Sequence, residues 1–305
     1  MIKHLTLLTT LTLSGFAFDN AYLTEVVEGI KNYHVEEISY NTPAHEIPMV
    51  QTPNQTVTPV IITLEEKITV VNKKLKTPND IKIFKTQEIE PINYTNTISL
   101  NKLQVSEKKQ KFFHMILPAI LISKANLKLK RDRVLSLISI PKDELSEDNK
   151  NFLKSLYKKY KTNDNNKLLK RLKTHPVSII LAQAAIESAW GESRFFKEGN
   201  NIFGMWSYNK NEPRIKAKGK RKGKSIYVKK YATVSDAIDD YFAVIGRGAY
   251  KSFRKQRNIT DDPLKLVEYL VNYCELDNYP KKLKKFIVNN KLRKFDKFKI
   301  ASNNF

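Results

Sequence analysis

One carboxyl group is placed where it could do acid chemistry. The segment Pro176-Val-Ser-Ile-Ile-Leu-Ala-Gln-Ala-Ala-Ile-Glu-Ser-Ala-Trp190 holds four polar side chains, Ser178, Gln183, Glu187 and Ser188. A helix of that composition is buried on most sides. Helical spacing sets Ile180, Gln183 and Ala184 below Glu187, and Trp190 and Gly191 above it. A carboxyl at the end of such a helix is expected to be partly desolvated. Desolvation raises its pKa, as a general acid working near neutral pH requires. Taken alone, a glutamate is more often a solvated surface charge, so the residue types leave that reading open.

The surrounding residues narrow the choice. Ala184-Ala-Ile-Glu-Ser-Ala-Trp-Gly191, Ser193-Arg-Phe195 and Gly199-Asn-Asn-Ile-Phe-Gly204 follow one another closely. Together they resemble the glucosaminidase family of peptidoglycan hydrolases (mannosyl-glycoprotein endo-β-N-acetylglucosaminidase-like), and within it the Bax-like branch. Lys111-Phe-Phe113 lies upstream; Tyr231, Tyr241, Ala249-Tyr-Lys-Ser-Phe-Arg254 and the Tyr273…Tyr279 pair lie downstream. The resemblance covers residues 105–292. It implies a lysozyme-like α+β fold, mostly helical with a small β-hairpin lobe, and cleavage of the β-1,4 bond after N-acetylglucosamine in the wall glycan. It also implies that Glu187 is the catalytic acid, protonating the leaving glycosidic oxygen.

Other site residues follow from the same resemblance. Tyr273 falls where the family carries a tyrosine near the acid, although the Tyr-Ala-Thr-Asp-like motif is here Tyr273-Cys-Glu-Leu-Asp-Asn-Tyr279. A tyrosine packed in a helix is the competing reading. Asn200, Asn201, Phe203, Trp206 and Tyr250 are expected to line the cleft, offering amides and aromatic faces to sugar rings; each could equally be structural. The second carboxylate is less defined. Residues 207–234 contain one glutamate, Glu212, in what reads as an exposed turn. If Glu212 is not the partner, the substrate's own acetamido group could serve as nucleophile. Asp239 and Asp240 read as solvated or capping charges on a helix.

Alternatives remain within and outside this chemistry. Muramidase or lytic transglycosylase cleavage could occur on the same fold, and a non-catalytic, basic envelope-binding protein is a different class. The five histidines show no ligand spacing and Cys274 is a lone cysteine, so neither a metal nor a cofactor is expected. Cys274 reads as core packing.

The elements that must position these residues occupy the second half of a 305-residue chain. Seven of nine glycines lie between Gly191 and Gly248, whereas six of twelve prolines lie between Pro43 and Pro91. Charge divides in the same place. Residues 18–104 carry 8 Lys/Arg against 11 Asp/Glu, and residues 105–305 carry 45 against 20. The back half is therefore strongly cationic and suited to anionic polymers. Met1–Ala17 has a positive start, an apolar run and a small-x-small end, the pattern of a secretory signal. This predicts an exported periplasmic or envelope protein with no membrane span once the signal is removed. Residues 18–104 are expected to be a low-structure spacer, residues 105–292 the catalytic domain, and residues 293–305 a basic tail.

Within the domain, apolar spacing predicts helices over 108–137, with a break at Pro118, and over 147–160, 176–190, 234–245, 263–274 and 280–292. Thr233 and Asp236 have capping-box spacing. Residues 225–231 have β character, and the basic run before them reads as an exposed loop. Arg214–Lys230 is expected to flank the cleft and attract an anionic wall polymer, with peptidoglycan glycan strands as substrate. Aromatics are not interleaved there as a nucleic-acid platform would require, so no nucleic acid is expected. A mobile, solvated loop is the alternative for that run.

Overall fold

Apolar residues at helical spacing become helices in the computed structural model, which describes residues 68–301 other than 222 and 275–277. The signal sequence and the first part of the expected spacer lie outside the described residues. The longest helix is α1, Val105–Leu137, and residues 112–123 along it are buried all round. Such burial on every side identifies a core helix rather than an amphipathic one. It is long and apolar enough to cross a membrane, but 78% of its most apolar window is buried inside the fold. Pro118, expected to break it, leaves it continuous. Packing on both sides of the proline outweighs the lost backbone hydrogen bond and ring clash, a penalty of about 3 kcal/mol.

Helix α2, Glu147–Tyr160, is capped by Ser146, and α3, Asn165–Leu172, by Asp164. Helix α4, Val177–Glu187, carries the candidate acid at its C-terminal end. Helix α1 packs against α3 and α4, and also against α6, Val234–Ile245. Between α4 and α6 come the short α5, Arg194–Gly199, and an antiparallel hairpin of β4, Arg214–Arg221, and β5, Lys224–Lys229. The basic run expected as a loop is therefore largely strand. Ile215 opposite Val228 gives the hairpin an apolar anchor, and alternation sends lysines such as Lys216 and Lys218 outward.

Helix α6 begins at the expected capping box: the Thr233 hydroxyl accepts from Asp236 N, and Asp236 Oδ2 accepts from Thr233 N. Helix α7, Lys251–Arg257, follows. The helix expected over 263–274 is instead a single turn, α8, Pro263–Leu266, continued as a 3₁₀ turn to Tyr269. Helix α9, Tyr279–Asn289, returns to pack on α4. The result is the expected α+β arrangement, a mostly helical body bearing a small hairpin lobe.

Two boundaries differ from the sequence expectation. Residues 68–104, assigned to the spacer, are folded onto the helices from Ile68 onward. Their strands, β1 (Val71–Lys73), β2 (Glu88–Ile89) and β3 (Ile92–Tyr94), are very short, with β1 and β3 pairing in parallel. Burial of Ile81, Phe84, Ile89, Ile92 and Leu100 against the domain holds them. Ile68 N donates to Asn126 Oδ1 and Phe84 N to His114 Nδ1, pinning the segment to α1. Residues 293–301, assigned to a basic tail, form most of a 3₁₀ turn, Leu292–Lys297, and strand β6, Lys299–Ile300, which pairs with β2. Asp296 in that turn accepts from Ser178 N and the Ser178 hydroxyl, satisfying the open N-terminus of α4.

Candidate active site

Glu187 is the last residue of α4 and is half-buried. The helix stops there because the chain turns sharply. Ala189, Trp190 and Gly191 all have positive φ, at 50°, 61° and 83°. Such a conformation costs an L-residue about 1–2 kcal/mol and has to be held in place by its surroundings. The Ser188 hydroxyl donates to Ala184 O and accepts from Gly191 N, closing the turn. Trp190 is gripped edge-on by Phe112 and Phe113 of α1 at 5.7 and 5.4 Å, and by Phe286 of α9. A Cβ on Gly191 would lie 3.3 Å from the Phe196 ring. Strain of this kind gathers at functional sites, and here it directs the carboxyl off the end of a buried helix.

Burial raises the Glu187 pKa above its usual range; a hydrogen bond from Tyr279 and the charge of Lys282 act against this. The Tyr279 hydroxyl donates to Glu187 Oε1 at 3.1 Å. Gln183, one turn before Glu187, donates from Nε2 to the Tyr279 oxygen at 3.2 Å. Its Oε1 accepts from the Tyr241 hydroxyl at 2.6 Å, and Tyr241 lies 2.8 Å from His175 Nε2. A continuous buried polar chain thus runs from the core to the carboxyl.

Aromatic rings enclose the chain. Phe203 stacks on Tyr241 with centroids 4.4 Å apart, and Tyr273 stacks on Tyr279 at 5.5 Å. Tyr250 reaches Tyr273 at 6.4 Å. Glu187, Phe203, Tyr250 and Tyr273 are therefore brought into one cluster. The direct contact with Glu187 belongs to Tyr279, six residues beyond the tyrosine singled out in the sequence. The Tyr273 hydroxyl is buried with no hydrogen-bond partner among the described residues. Burial, and then the neighbouring Tyr279, push its pKa well above that of a free tyrosine.

The remaining candidates lie on the hairpin side. Asn200 Nδ2 donates to the carbonyls of Tyr231 and Ala232. Asn201 is buried, donates to the carbonyls of Met205 and Lys229, and accepts from Met205 N. Both amides are thereby committed to fastening the loop to the hairpin. Trp206 is partly exposed, bridges to Val228 and lies 6.2 Å from Tyr208. Glu212 accepts from the Ser207 hydroxyl at 2.7 Å in the turn leading into β4. Asp240, expected to be a solvated or capping charge, is instead held by Lys229 and the Tyr231 hydroxyl at 2.8 and 2.7 Å. Asp239 is half-buried, and desolvation raises its pKa. Cys274 is a free, half-buried thiol. No cluster of metal-ligating side chains occurs among the described residues.

Gln183 was visible in the sequence as a polar residue one turn below Glu187, and Tyr279 only as the second member of the Tyr273…Tyr279 pair. His175 was passed over because a lone histidine carries no signal of its own. Its place in the chain depends on Tyr241, 66 residues away.

The family model described as mannosyl-glycoprotein endo-beta-N-acetylglucosaminidase matches residues 162–292. The chain is 29% identical over 159 residues to protein bax of Escherichia coli, covering 49% of this chain and 55% of that one. It is 33% identical over 89 residues to the exo-glucosaminidase LytG of Bacillus subtilis, covering 28% and 32%. The matched stretches thus span about half and about a third of those relatives' lengths. Among solved structures, the catalytic domain of the autolysin Auto from Listeria monocytogenes is 20% identical, with a TM-score of 0.35 over 55% of this chain and 97% of that one. The glycoside hydrolase domain of FlgJ from Salmonella typhimurium is 25% identical, with a TM-score of 0.32 over 47% and 87%.

Proposed function

From the match of residues 162–292 to the glucosaminidase family model we propose that this chain is an envelope-acting peptidoglycan hydrolase. It cleaves the β-1,4 bond after N-acetylglucosamine, with Glu187 as general acid. The observation that carries this reading is the carboxyl itself: on a buried helix end, raised in pKa, and held through one oxygen by Tyr279. A carboxyl so placed stays protonated at higher pH than a solvated one and can deliver that proton to a leaving glycosidic oxygen.

The supporting groups take roles that fit their chemistry. Tyr273 stays protonated at working pH, so it serves as a hydrogen-bond donor beside the acid and not as a nucleophile. Its ring also braces Tyr279. Phe203 and Tyr250 extend the aromatic wall, and Trp206 offers an exposed ring to sugar. Asn200 and Asn201 shape the cleft loop through their backbone contacts. Glu212 is the candidate second carboxylate, because Asp240 is already paired with Lys229. If Glu212 has no part in the reaction, the substrate's acetamido group supplies the nucleophile.

The hairpin lysines supply the attraction for anionic wall polymer. Lys216, Lys218, Lys224 and Lys230 are exposed and carry this role, whereas Lys229 is occupied by Asp240. The whole basic half of the chain adds to that field.

Digestion of purified peptidoglycan by the full chain, with mass analysis of the fragments, tests the reading. Reducing-end N-acetylglucosamine is the expected product. Reducing-end N-acetylmuramic acid would make it a muramidase, and an anhydro sugar would make it a lytic transglycosylase.

A further inference from the structure

The polar chain behind Glu187 has a direction. An ionised carboxylate only accepts hydrogen bonds, so Tyr279 must give its hydrogen to Oε1. The Tyr279 oxygen is left to accept, and Gln183 Nε2 is the donor in reach. With its NH₂ group so used, Gln183 turns its Oε1 to the Tyr241 hydroxyl. The Tyr241 oxygen must then accept from His175, which places the imidazole hydrogen on Nε2. His175 Nδ1 ends the chain, buried and without a partner among the described residues. Gln183 and Tyr241 are fully buried and Tyr279 and His175 nearly so, at 1% and 2% exposure, so water competes for none of these bonds.

The two oxygens of Glu187 are therefore unequal. Oε1 is taken by Tyr279, whereas Oε2 has no hydrogen bond among the described residues. When the carboxyl is protonated, a carbonyl oxygen at Oε1 still accepts from Tyr279, and the acidic hydrogen resides on Oε2. Reversing the chain would require Gln183 to rotate its amide through half a turn and His175 to shift its hydrogen to Nδ1. A close-packed core opposes the first of these movements.

We propose that Gln183, Tyr241 and His175 are positioning residues which hold the Tyr279 hydroxyl on Oε1 and so reserve Oε2 as the oxygen that delivers the proton. The inference rests on the reading of Glu187 as general acid. In the step itself the Oε2 hydrogen passes to the glycosidic oxygen as the bond from that oxygen to the anomeric carbon breaks. The leaving oxygen keeps the bonding pair, and Glu187 is left as a carboxylate. No hydrogen moves along the chain; it orients the acid and strengthens its ionised form. The other groups facing Glu187 are Lys282, on the same helix as Tyr279, and Tyr273. His175 faces Arg257 and Lys124, whose charges add to burial in keeping it neutral.

The test compares the pH profiles of kcat/KM on peptidoglycan for wild type and Tyr241→Phe in the full chain. Loss of the central hydroxyl is expected to lower kcat about tenfold with little change in KM. It should also move the basic limb upward by about half a unit, because the ionised acid loses support. A merely structural role would alter stability and leave the limb in place. Superimposable profiles for a folded Tyr241→Phe would overturn the proposal. If that variant does not fold, the nitrogen chemical shifts of His175 in the wild-type chain decide the matter. Hydrogen on Nε2 from pH 6 to 8 is expected, and hydrogen on Nδ1 would reverse the chain and refute it. Failure of the underlying reading is recognised separately, by activity surviving in Glu187→Gln.

Discussion

The Tyr279 hydroxyl donates to Oε1 of Glu187 across 3.1 Å, from a helix 92 positions further along the chain. The bond ties the acid to α9 and makes the carboxyl's behaviour depend on residues far from it in sequence. Replacing Tyr279 with Phe removes the bond while keeping the ring that stacks on Tyr273. Because a hydrogen bond to a charged group is worth about 1.5–3 kcal/mol, kcat should fall about ten- to a hundredfold. The basic limb of the pH profile should rise, since burial is then opposed only by the charge of Lys282. Steady-state rates from pH 4 to 9 give both quantities; a falling limb would contradict the assignment.

Acid should destabilise the fold through its buried histidines. Burial, then Lys294 and Lys111, hold His114 down to about 4, and His175 lies well below its ordinary value of 6.5 for the same first reason. Both are neutral in the folded chain, whereas the unfolded chain takes up protons below pH 6.5. Stability from these groups is therefore full above pH 6.5 and is lost as pH falls toward 4. The slope is about 1.4 kcal/mol per pH unit for each histidine. Urea melts at pH 7, 6 and 5 measure it. His114→Gln should flatten the slope by about one proton, and an unchanged slope would count against the assignment.

The turn after Glu187 should tolerate little change. Gly191→Ala forces an L-residue to φ near 83° and sets its Cβ against Phe196, costing about 1–2 kcal/mol. Trp190→Ala empties the space between Phe112, Phe113 and Phe286, costing about 3–5 kcal/mol. Thermal unfolding of the two variants should rank them in that order. A Trp190→Ala protein as stable as wild type would show that the ring is not a structural clamp.

The front segment should behave as part of the domain. Glu192, just past the strained turn, accepts from the Ser99 hydroxyl, Leu100 N and Lys197. A chain starting at residue 105 loses these bonds along with the buried Ile81, Phe84, Ile92 and Leu100 side chains. It should melt well below a chain starting at residue 68. Equal melting temperatures would mean that the segment only rests on the surface.

Much of this was legible in the sequence where one element carries its own signal. Helices 147–160 and 234–245 have apolar stripes and capping residues within their own bounds. The setting of Glu187 at the end of a buried helix was legible because an almost wholly apolar helix with one carboxyl at its end is unusual in itself. What the sequence concealed depends on partners distant in the chain. Strands of two or three residues, as in β1 to β3, have no readable period, and they form because Phe84 meets His114 and Leu100 meets Glu192. The strand character of Arg214–Arg221 was hidden by its lysines, which alternate across a ribbon rather than filling a loop. Pro118 misled for a related reason, since the burial that overrides it comes from α3, α4 and α6. In the site, the Tyr273…Tyr279 pair was evident, but which hydroxyl reaches the acid depends on how α9 packs against α4.

The central claim is that Glu187 delivers the proton that breaks the glycan, and Glu187→Gln tests it most directly. The amide keeps the size of the side chain and an oxygen for Tyr279, and removes the transferable proton. Wild type should release fragments ending in N-acetylglucosamine from purified peptidoglycan. The variant should retain its fold and its binding to the polymer, with the rate lowered about 10²- to 10⁴-fold. Fragments released by Glu187→Gln at the wild-type rate would contradict the account.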